Sequence, residues 1–208
     1  MKIQLACDCH TVEEALRLLN FVHDEIDIIE AGTDLMYAEG IKALRILKSA
    51  YPDKLLLADL KVMDGGRELA ELVFENGADV MTVLAVAPEE TIIAACKEAK
   101  RRNKKIYVDM MCVTDQLEKA KKIMSWGADC LCVHTADDQK ENVTFYHKMA
   151  DFSKYIGSQY CSIAGGMNPE NIRSIKQYNP EIIVVGGYIT GAKDPQKAVK
   201  EIREAING

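Results

Sequence analysis

A single (β/α)8 barrel, the TIM-barrel fold class, is predicted for residues 1–208. Short apolar runs rich in β-branched residues alternate with amphipathic stretches along the whole chain. The runs are continuously apolar, which is typical of parallel strands covered on both faces. The unit recurs eight times at about 26 residues each, which suits one closed barrel. A doubly wound open sheet is the alternative, but no Gly-x-Gly-x-x-Gly motif follows the first predicted strand.

The apolar runs predict the strands. They lie at Ile3–Asp8, Ile26–Gly32, Leu55–Leu60, Val80–Ala85, Lys105–Met110, Cys130–Thr135, Tyr160–Gly165 and Ile182–Gly187. Gly77 and Gly127 each precede Ala-Asp and then a strand, and glycine commonly ends a helix in this position. The repeated Gly-Ala-Asp junction indicates equivalent structural units.

The amphipathic stretches predict the helices. They lie at Val12–His23, Asp34–Ala50, Gly65–Asn76, Glu89–Arg102, Asp115–Trp126, Val143–Tyr155, Pro169–Tyr178 and Pro195–Ile206. Thr11 precedes the first helix as a capping residue, and Asn168 and Asp194 each stand before a first-turn proline. These signals support the predicted helix starts.

Composition and charge exclude several classes of protein. The formal net charge is −6, and the only basic cluster, at 100–105, falls where a helix should end, which argues against nucleic-acid binding. No apolar run approaches the ~18–20 residues of a membrane-spanning helix. The N-terminus does not resemble a signal peptide, and none of the seven cysteines forms a Cys-x-x-Cys pair. We therefore expect reduced thiols and a cytoplasmic protein.

Polar residues gather where the predicted strands end. In this fold the chemistry takes place at the carboxyl ends of the strands and on the loops that follow. Buried charges there need partners or a metal ion, so solvation alone explains such a set poorly. The strand-end residues are Asp8, Glu30, Asp59, Lys61, Asp64, Asp109 and His134.

The third strand carries the most informative spacing. Asp59 and Lys61 are two residues apart, so both side chains are expected to face the barrel axis. Asp64 lies past the strand end and could fold back or reach a neighbouring subunit. A charged lysine between carboxylates suits stabilisation of an enolate oxygen and proton transfer beside it. A structural salt bridge at the barrel mouth is the alternative.

Two further pairs of residues suggest a metal site and a proton-transfer site. Glu30 and Asp59 come from adjacent strands and offer hard oxygen ligands for Mg²⁺, although a pair of carboxyl groups sharing a proton is the alternative. Asp109 and His134 end the fifth and sixth strands and can donate or accept protons.

Glycine pairs follow the seventh and eighth strands. Without side chains, these residues let backbone N–H groups approach an anion, and the following helices direct their N-termini at the same point. This corner of the barrel commonly binds phosphate. The predicted phosphate residues are Gly165, Gly166, Gly186 and Gly187.

Six segments together resemble the 3-hexulose-6-phosphate synthase family and the related 3-keto-L-gulonate-6-phosphate decarboxylases, in the wider orotidine-monophosphate-decarboxylase group of barrels. The Asp-x-Lys-x-x-Asp array of the third strand is highly specific for that group. The segments are Ile28–Thr33, Asp59–Asp64, Val108–Met110, Val133–Thr135, Ala164–Gly166 and Val185–Thr190.

The resemblance implies a sugar-phosphate enzyme with shared active sites in a homodimer. It implies that Lys61 stabilises a cis-enediolate of ribulose 5-phosphate and that Asp64 comes from the partner subunit. It also implies Mg²⁺ held by Glu30 and Asp59. The remaining implied roles are sugar-hydroxyl binding for Asp8, proton transfer for Asp109 and His134, and phosphate binding for Gly166, Gly186 and Gly187.

Two positions favour the synthase, which condenses formaldehyde with ribulose 5-phosphate. The decarboxylases carry glutamate at the position of Asp109, and arginine at the position of Asp137. Departures from the family pattern occur at Ala31, Asp34, Ala136 and in the shortened segment Asp138–Val143. The decarboxylase stays an alternative. A ribulose-phosphate 3-epimerase would need two histidine strand ends, and a non-catalytic sugar-phosphate-binding barrel would not need both Lys61 and His134.

Overall fold

The computed structural model describes residues 1–135 and 145–208 and has the predicted fold. Eight parallel strands pair in chain order, and the last strand pairs with the first to close the barrel. Each predicted strand is confirmed, with ends that shift by no more than two residues. The strands are β1 Lys2–Cys7, β2 Ile28–Ala31, β3 Leu55–Val62, β4 Val80–Leu84, β5 Lys105–Asp109, β6 Cys130–His134, β7 Cys161–Ala164 and β8 Ile182–Val185.

Helices surround the barrel and cover the outer face of the strands. None of the helices in the described residues is long and apolar enough to cross a membrane. The helices are α1 Val12–Val22, α2 Thr33–Glu39, α3 Ile41–Ala50, α4 Gly66–Glu75, α5 Glu89–Arg101, α6 Gln116–Ser125, α7 Phe145–Phe152, α8 Pro169–Ile175, α9 Gly187–Thr190 and α10 Pro195–Asn207. The predicted start of the seventh helix, Val143, lies outside the described residues.

Two helix predictions need correction. The single helix predicted over Asp34–Ala50 is divided into α2 and α3 at Gly40, whose φ is +62°. A glycine adopts this left-handed backbone without the steric cost of a side chain, so the chain turns there. Gly187, predicted as the end of the eighth strand, instead begins the short helix α9.

The barrel interior is filled at one end and open at the other. Toward the amino ends of the strands, apolar side chains from successive strands meet on the axis, including Ile28, Leu57, Val80 and Ile182. A second and larger apolar core lies between the strands and the helices. The plugged end leaves a cavity only toward the carboxyl ends of the strands, where this fold places its chemistry.

The Gly-Ala-Asp junctions at 77–79 and 127–129 have the same structure. Both glycines have positive φ, +102° and +97°. The aspartate of each junction accepts the backbone N–H of the second residue of the preceding strand, at 3.0 Å from Leu56 and 2.9 Å from Ile106. Each carboxylate therefore ties two neighbouring strands together at the closed end, as expected of equivalent units.

Candidate active site

A cavity of about 680 Å³ occupies the open end of the barrel. Of the eleven site residues predicted from the sequence, all but Asp64 line it. The carboxyl ends of parallel strands meet at this rim, which is why residues distant in sequence converge. The ten lining residues are Asp8, Glu30, Asp59, Lys61, Asp109, His134, Gly165, Gly166, Gly186 and Gly187.

Asp64 lies outside the cavity. Its side chain is exposed, and its Oδ1 accepts the backbone N–H of the neighbouring Gly65 at 2.7 Å. The carboxylate thus points into its own loop rather than completing an Asp–Lys–Asp array within this chain. A role for Asp64 in the site of another subunit stays a prediction.

The carboxylate of Asp59 is buried and held by three donors. Thr33 donates its hydroxyl to Oδ2 at 2.7 Å, and Thr82 donates its hydroxyl to Oδ1 at 2.6 Å. The ammonium of Lys61 forms an ion pair with Oδ2. With donors on both oxygens, the orientation of the carboxylate is set before any ligand arrives.

Lys61 reaches the cavity through an unusual backbone. Its φ is +46°, in the left-handed region that a residue with a side chain rarely adopts. The spacing of two from Asp59 predicts an inward side chain, but a regular strand alternation is not what directs it. The β3–β4 register shifts between Ala58 and Val62, so the strand is irregular around the lysine.

The ammonium of Lys61 is held in its charged form. Burial lowers the pKa of Lys61, but the neighbouring Asp59 carboxylate, with Glu30 and Asp109, more than offsets this and raises the pKa above its usual range. Its Nζ also donates to the hydroxyl of Thr33 at 2.9 Å. A fixed positive charge beside a cavity can stabilise negative charge on a ligand oxygen.

Glu30 is the second buried carboxyl group of the cavity. Burial, followed by repulsion from Asp59, raises the pKa of Glu30 to about 8, against an ordinary 4.5. The amide of Gln4 donates to its Oε2, which leaves Oε1 for a further ligand. Two close carboxyl groups facing one lysine have a deficit of positive charge that a cation could supply.

Asp109 and His134 form a hydrogen-bonded pair. Nδ1 of His134 lies 2.6 Å from Oδ2 of Asp109, and the backbone N–H of Met111 donates to Oδ1 at 2.9 Å. The buried carboxylate favours the tautomer that carries a proton on Nδ1, and Nε2 remains the ring nitrogen available to a ligand. This is a suitable arrangement for moving a proton.

The glycine-rich side of the cavity comes close to backbone on both sides. Gly165 has a φ of +98°, and a Cβ there would lie 2.2 Å from the carbonyl oxygen of Thr135. Gly186 precedes the first turn of α9. Among the described residues that line the cavity, Lys61 is the only lysine or arginine. An anion on the glycine side would therefore depend on backbone N–H groups rather than on a cationic side chain.

Three polar residues of the site were missed by the sequence analysis as functional residues. They are Gln4, Thr33 and Thr82, which hold Glu30, Asp59 and Lys61. A signal existed for two of them, since Gln4 and Thr82 stand in the middle of apolar strands, where a polar side chain needs a partner. Nothing in the sequence alone shows which partner each one finds.

The segment after His134 is only partly covered by the structure. Ala136, Asp137 and 138–143, where the sequence departs from the family pattern or favours the synthase, lie outside the described residues. Within the described residues, no three His, Cys, Asp or Glu side chains converge as metal ligands. A metal ion in this cavity would have to complete its coordination with other oxygens.

Comparison with known proteins gives consistent matches over the whole chain. The model of the orotidine 5′-phosphate decarboxylase / HUMPS family matches residues 1–202. The 3-hexulose-6-phosphate synthase of Staphylococcus aureus (strain NCTC 8325 / PS 47) is 37% identical over 209 residues, covering 100% of each chain.

Solved structures agree with these matches. A 3-hexulose-6-phosphate synthase from Salmonella typhimurium has 36% identity and a TM-score of 0.95, with coverage of 100% of this chain and 99% of that one. The KGPDC of Streptococcus mutans, solved in complex with a sugar phosphate, has 26% identity and a TM-score of 0.91, with coverage of 99% and 97%. A 3-keto-L-gulonate-6-phosphate decarboxylase from Vibrio cholerae has 30% identity and a TM-score of 0.87, with coverage of 99% and 97%.

Proposed function

The chain belongs to the orotidine 5′-phosphate decarboxylase / HUMPS family, and on that basis we propose that it condenses formaldehyde with D-ribulose 5-phosphate to give D-arabino-3-hexulose 6-phosphate. It is a carbon–carbon lyase of the aldolase type, in line with its named relatives. The observation that carries the proposal is the 37% identity, over the full length of both chains, with the synthase of Staphylococcus aureus.

We propose that Glu30 and Asp59 hold Mg²⁺. Both carboxyl groups are buried, 6% and 5% exposed, and both line the cavity. Mg²⁺ is commonly held by one or two carboxylates, with waters and substrate oxygens completing the octahedron, so the absence of a third ligand among the described residues fits this ion. When bound, Mg²⁺ would supply positive charge to the oxygens of the sugar that become negative during the reaction.

Lys61 and the Asp109–His134 pair take the central chemical roles in this proposal. The pair removes the proton from C1 of ribulose 5-phosphate, and the Lys61 ammonium stabilises the charge of the resulting enediolate. C1 then forms a bond to the formaldehyde carbon, and the carbonyl oxygen of formaldehyde takes up a proton. The 2.6 Å contact between Asp109 and His134 supports this role, because the carboxylate stabilises the imidazolium that forms.

The two ends of the sugar phosphate are assigned to opposite walls of the cavity. The phosphate binds the backbone around Gly165, Gly166, Gly186 and Gly187, where two positive φ angles and the absence of side chains leave N–H groups accessible. Asp8 binds sugar hydroxyls from the rim. Gly32 supports its position, since a Cβ at that residue would lie 2.2 Å from Oδ1 of Asp8.

The proposed assembly is a homodimer in which Asp64 enters the partner's site. Support comes from the exposure of Asp64 and its place outside the cavity of its own chain. A cytoplasmic location also stays a prediction, made from the reduced thiols expected from the sequence.

Decarboxylation of 3-keto-L-gulonate 6-phosphate is the second candidate, since the decarboxylase structures share the fold and 26–30% identity. Asp109 favours the synthase because it is one methylene shorter than the glutamate of the decarboxylases, which changes where a proton is delivered. Asp137 replaces the decarboxylase arginine by an anion.

The test is to compare kcat/KM for the two reactions in one Mg²⁺ buffer and to repeat the comparison with Asp137→Arg. We expect the wild-type protein to favour the aldol condensation and the variant to shift toward decarboxylation. A wild-type preference for releasing CO₂ would refute the assignment. An unchanged preference in the variant would refute the role given to Asp137.

A further inference from the structure

We propose that Thr82 is a positioning residue for the reaction, and that its single hydroxyl sets the backbone of Lys61 and the carboxylate of Asp59 in register. What this says about turnover rests on the proposed function. What it says about the Lys61 backbone rests on geometry alone.

The first observation is the break in the β3–β4 ladder. Ala58 pairs with Met81, and the next pair is Val62 with Val83. Three residues of β3, 59–61, therefore lie opposite Thr82 alone. Such irregularities leave backbone groups without ladder partners, and they redirect side chains at barrel rims. Here the redirected residues include the carboxylate and the ammonium of the cavity.

The second observation is how the hydroxyl of Thr82 fills the break. It accepts the backbone N–H of Lys61 at 3.0 Å, and it donates its proton to Oδ1 of Asp59 at 2.6 Å. One donor and one acceptor function of a single oxygen thus join the two residues. The N–H of Lys61, which lacks a strand partner, is satisfied by this side chain instead.

The third observation is the conformation that this contact holds. Lys61 has a φ of +46°, and a left-handed backbone is unfavourable for a residue with a side chain. It persists only where the surroundings specify it. Without the Thr82 hydroxyl, the backbone of Lys61 can relax toward the extended region, and its side chain then leaves the axis.

Thr33 provides a useful contrast. Its hydroxyl contacts the Nζ of Lys61 at 2.9 Å and Oδ2 of Asp59 at 2.7 Å, so it holds the tips of the two side chains. Thr82 instead holds the backbone from which the lysine side chain extends. Because threonine is branched at Cβ, its side-chain torsion is restricted and the hydroxyl direction is well defined.

The experiment compares Thr82→Val, which has the same shape without the hydroxyl, with Thr82→Ser, which keeps the hydroxyl. At saturating Mg²⁺, we expect Thr82→Val to lower kcat about 100-fold, since a misplacement of about 1 Å can cost that much, with KM changed less than about 3-fold. Thr82→Ser should stay within about 5-fold of the wild-type kcat. Thr91→Val is the matched control, because Thr91 is a buried threonine on α5 that does not line the cavity.

A second readout needs no substrate. Hydrogen exchange of the Lys61 amide, followed by NMR, should be at least about 10-fold faster in Thr82→Val than in wild-type protein, because the amide loses its acceptor. Thr82→Ser and Thr91→Val should exchange as the wild type does. If Thr82→Val does not fold, Thr82→Ala against Thr82→Ser makes the same comparison.

The outcomes separate the two proposals. Wild-type protein that turns over neither substrate refutes the proposed function, while amide exchange still decides the role of Thr82. Unchanged exchange at Lys61 together with unchanged kcat in Thr82→Val overturns the positioning role. A rise in KM at constant kcat also overturns it, since Thr82 would then contact the substrate directly.

Discussion

Replacing Glu30 with glutamine should change how the stability of the metal-free barrel depends on pH. Burial, together with Asp59, raises the pKa of Glu30 to about 8 in the folded protein, whereas the ordinary value is 4.5. Between these two values the folded state keeps a proton that the unfolded state has released. The free energy of unfolding is therefore highest below pH 4.5 on account of this group, and it falls as the pH rises toward 8.

The magnitude follows from the size of the shift. Each pH unit inside that window costs about 1.36 kcal/mol, so a rise from pH 5.5 to pH 7.5 should cost about 3 kcal/mol through Glu30. Glu30→Gln keeps the shape of the side chain, can still accept from Gln4, and removes the titration. Its free energy of unfolding should fall about 3 kcal/mol less than that of the wild type over the same interval.

Urea unfolding in EDTA at pH 5.5, 6.5 and 7.5 measures this difference. Glu13→Gln, an exposed glutamate on α1, is the matched control and should follow the wild-type slope. Millimolar Mg²⁺ should stabilise the wild type and flatten its slope, because the metal binds the ionised carboxylate, and it should have little effect on Glu30→Gln. Parallel pH curves for the wild type and Glu30→Gln in EDTA would refute the reasoning.

Three further substitutions have expected outcomes. Lys61→Ala should leave a folded barrel but lower kcat by about 10²–10³-fold in the condensation assay, since it removes the charge beside the developing enediolate; retained activity would make Lys61 a structural residue. Asp109→Asn removes the carboxylate that stabilises the His134 imidazolium, and it should lower kcat by about 10²-fold with little loss of stability to urea; an unchanged kcat would contradict the proton-transfer role. Asp79→Ala leaves the N–H of Leu56 and the ammonium groups of Lys48 and Lys104 without their acceptor, at 2.6–3.0 Å. It should therefore cost about 2–3 kcal/mol in urea unfolding, while kcat/KM stays unchanged because the residue lies at the closed end; a loss below about 0.5 kcal/mol would contradict this.

The glycines illustrate how far local sequence signals reach. Gly77 and Gly127 were expected to end helices before strands, and both have the left-handed φ that this requires. Gly40 has the same property but lies inside a continuous amphipathic pattern, so the sequence predicted one helix where the structure has two. The hydrophobic period continues across the break, because α2 and α3 both pack on the same barrel, and only the backbone reveals the turn.

The sequence by itself determined the barrel and the residues around its mouth. Eight apolar runs separated by amphipathic stretches leave few alternatives to a closed parallel sheet, and that topology brings the strand ends together whatever the details of packing. Polar residues such as Glu30 and His134 at those ends were therefore predictable as neighbours in one cavity.

Only the tertiary structure decided how those residues are held. The left-handed backbone of Lys61, the shift of register against β4 and the hydroxyl of Thr82 in the gap depend on which residues of β3 and β4 lie opposite each other. Register between strands is a property of the closed barrel rather than of either strand. A period of two in one strand cannot show where its neighbour makes room for an extra residue, and that is the physical reason the sequence predicted an inward lysine but not what holds it there.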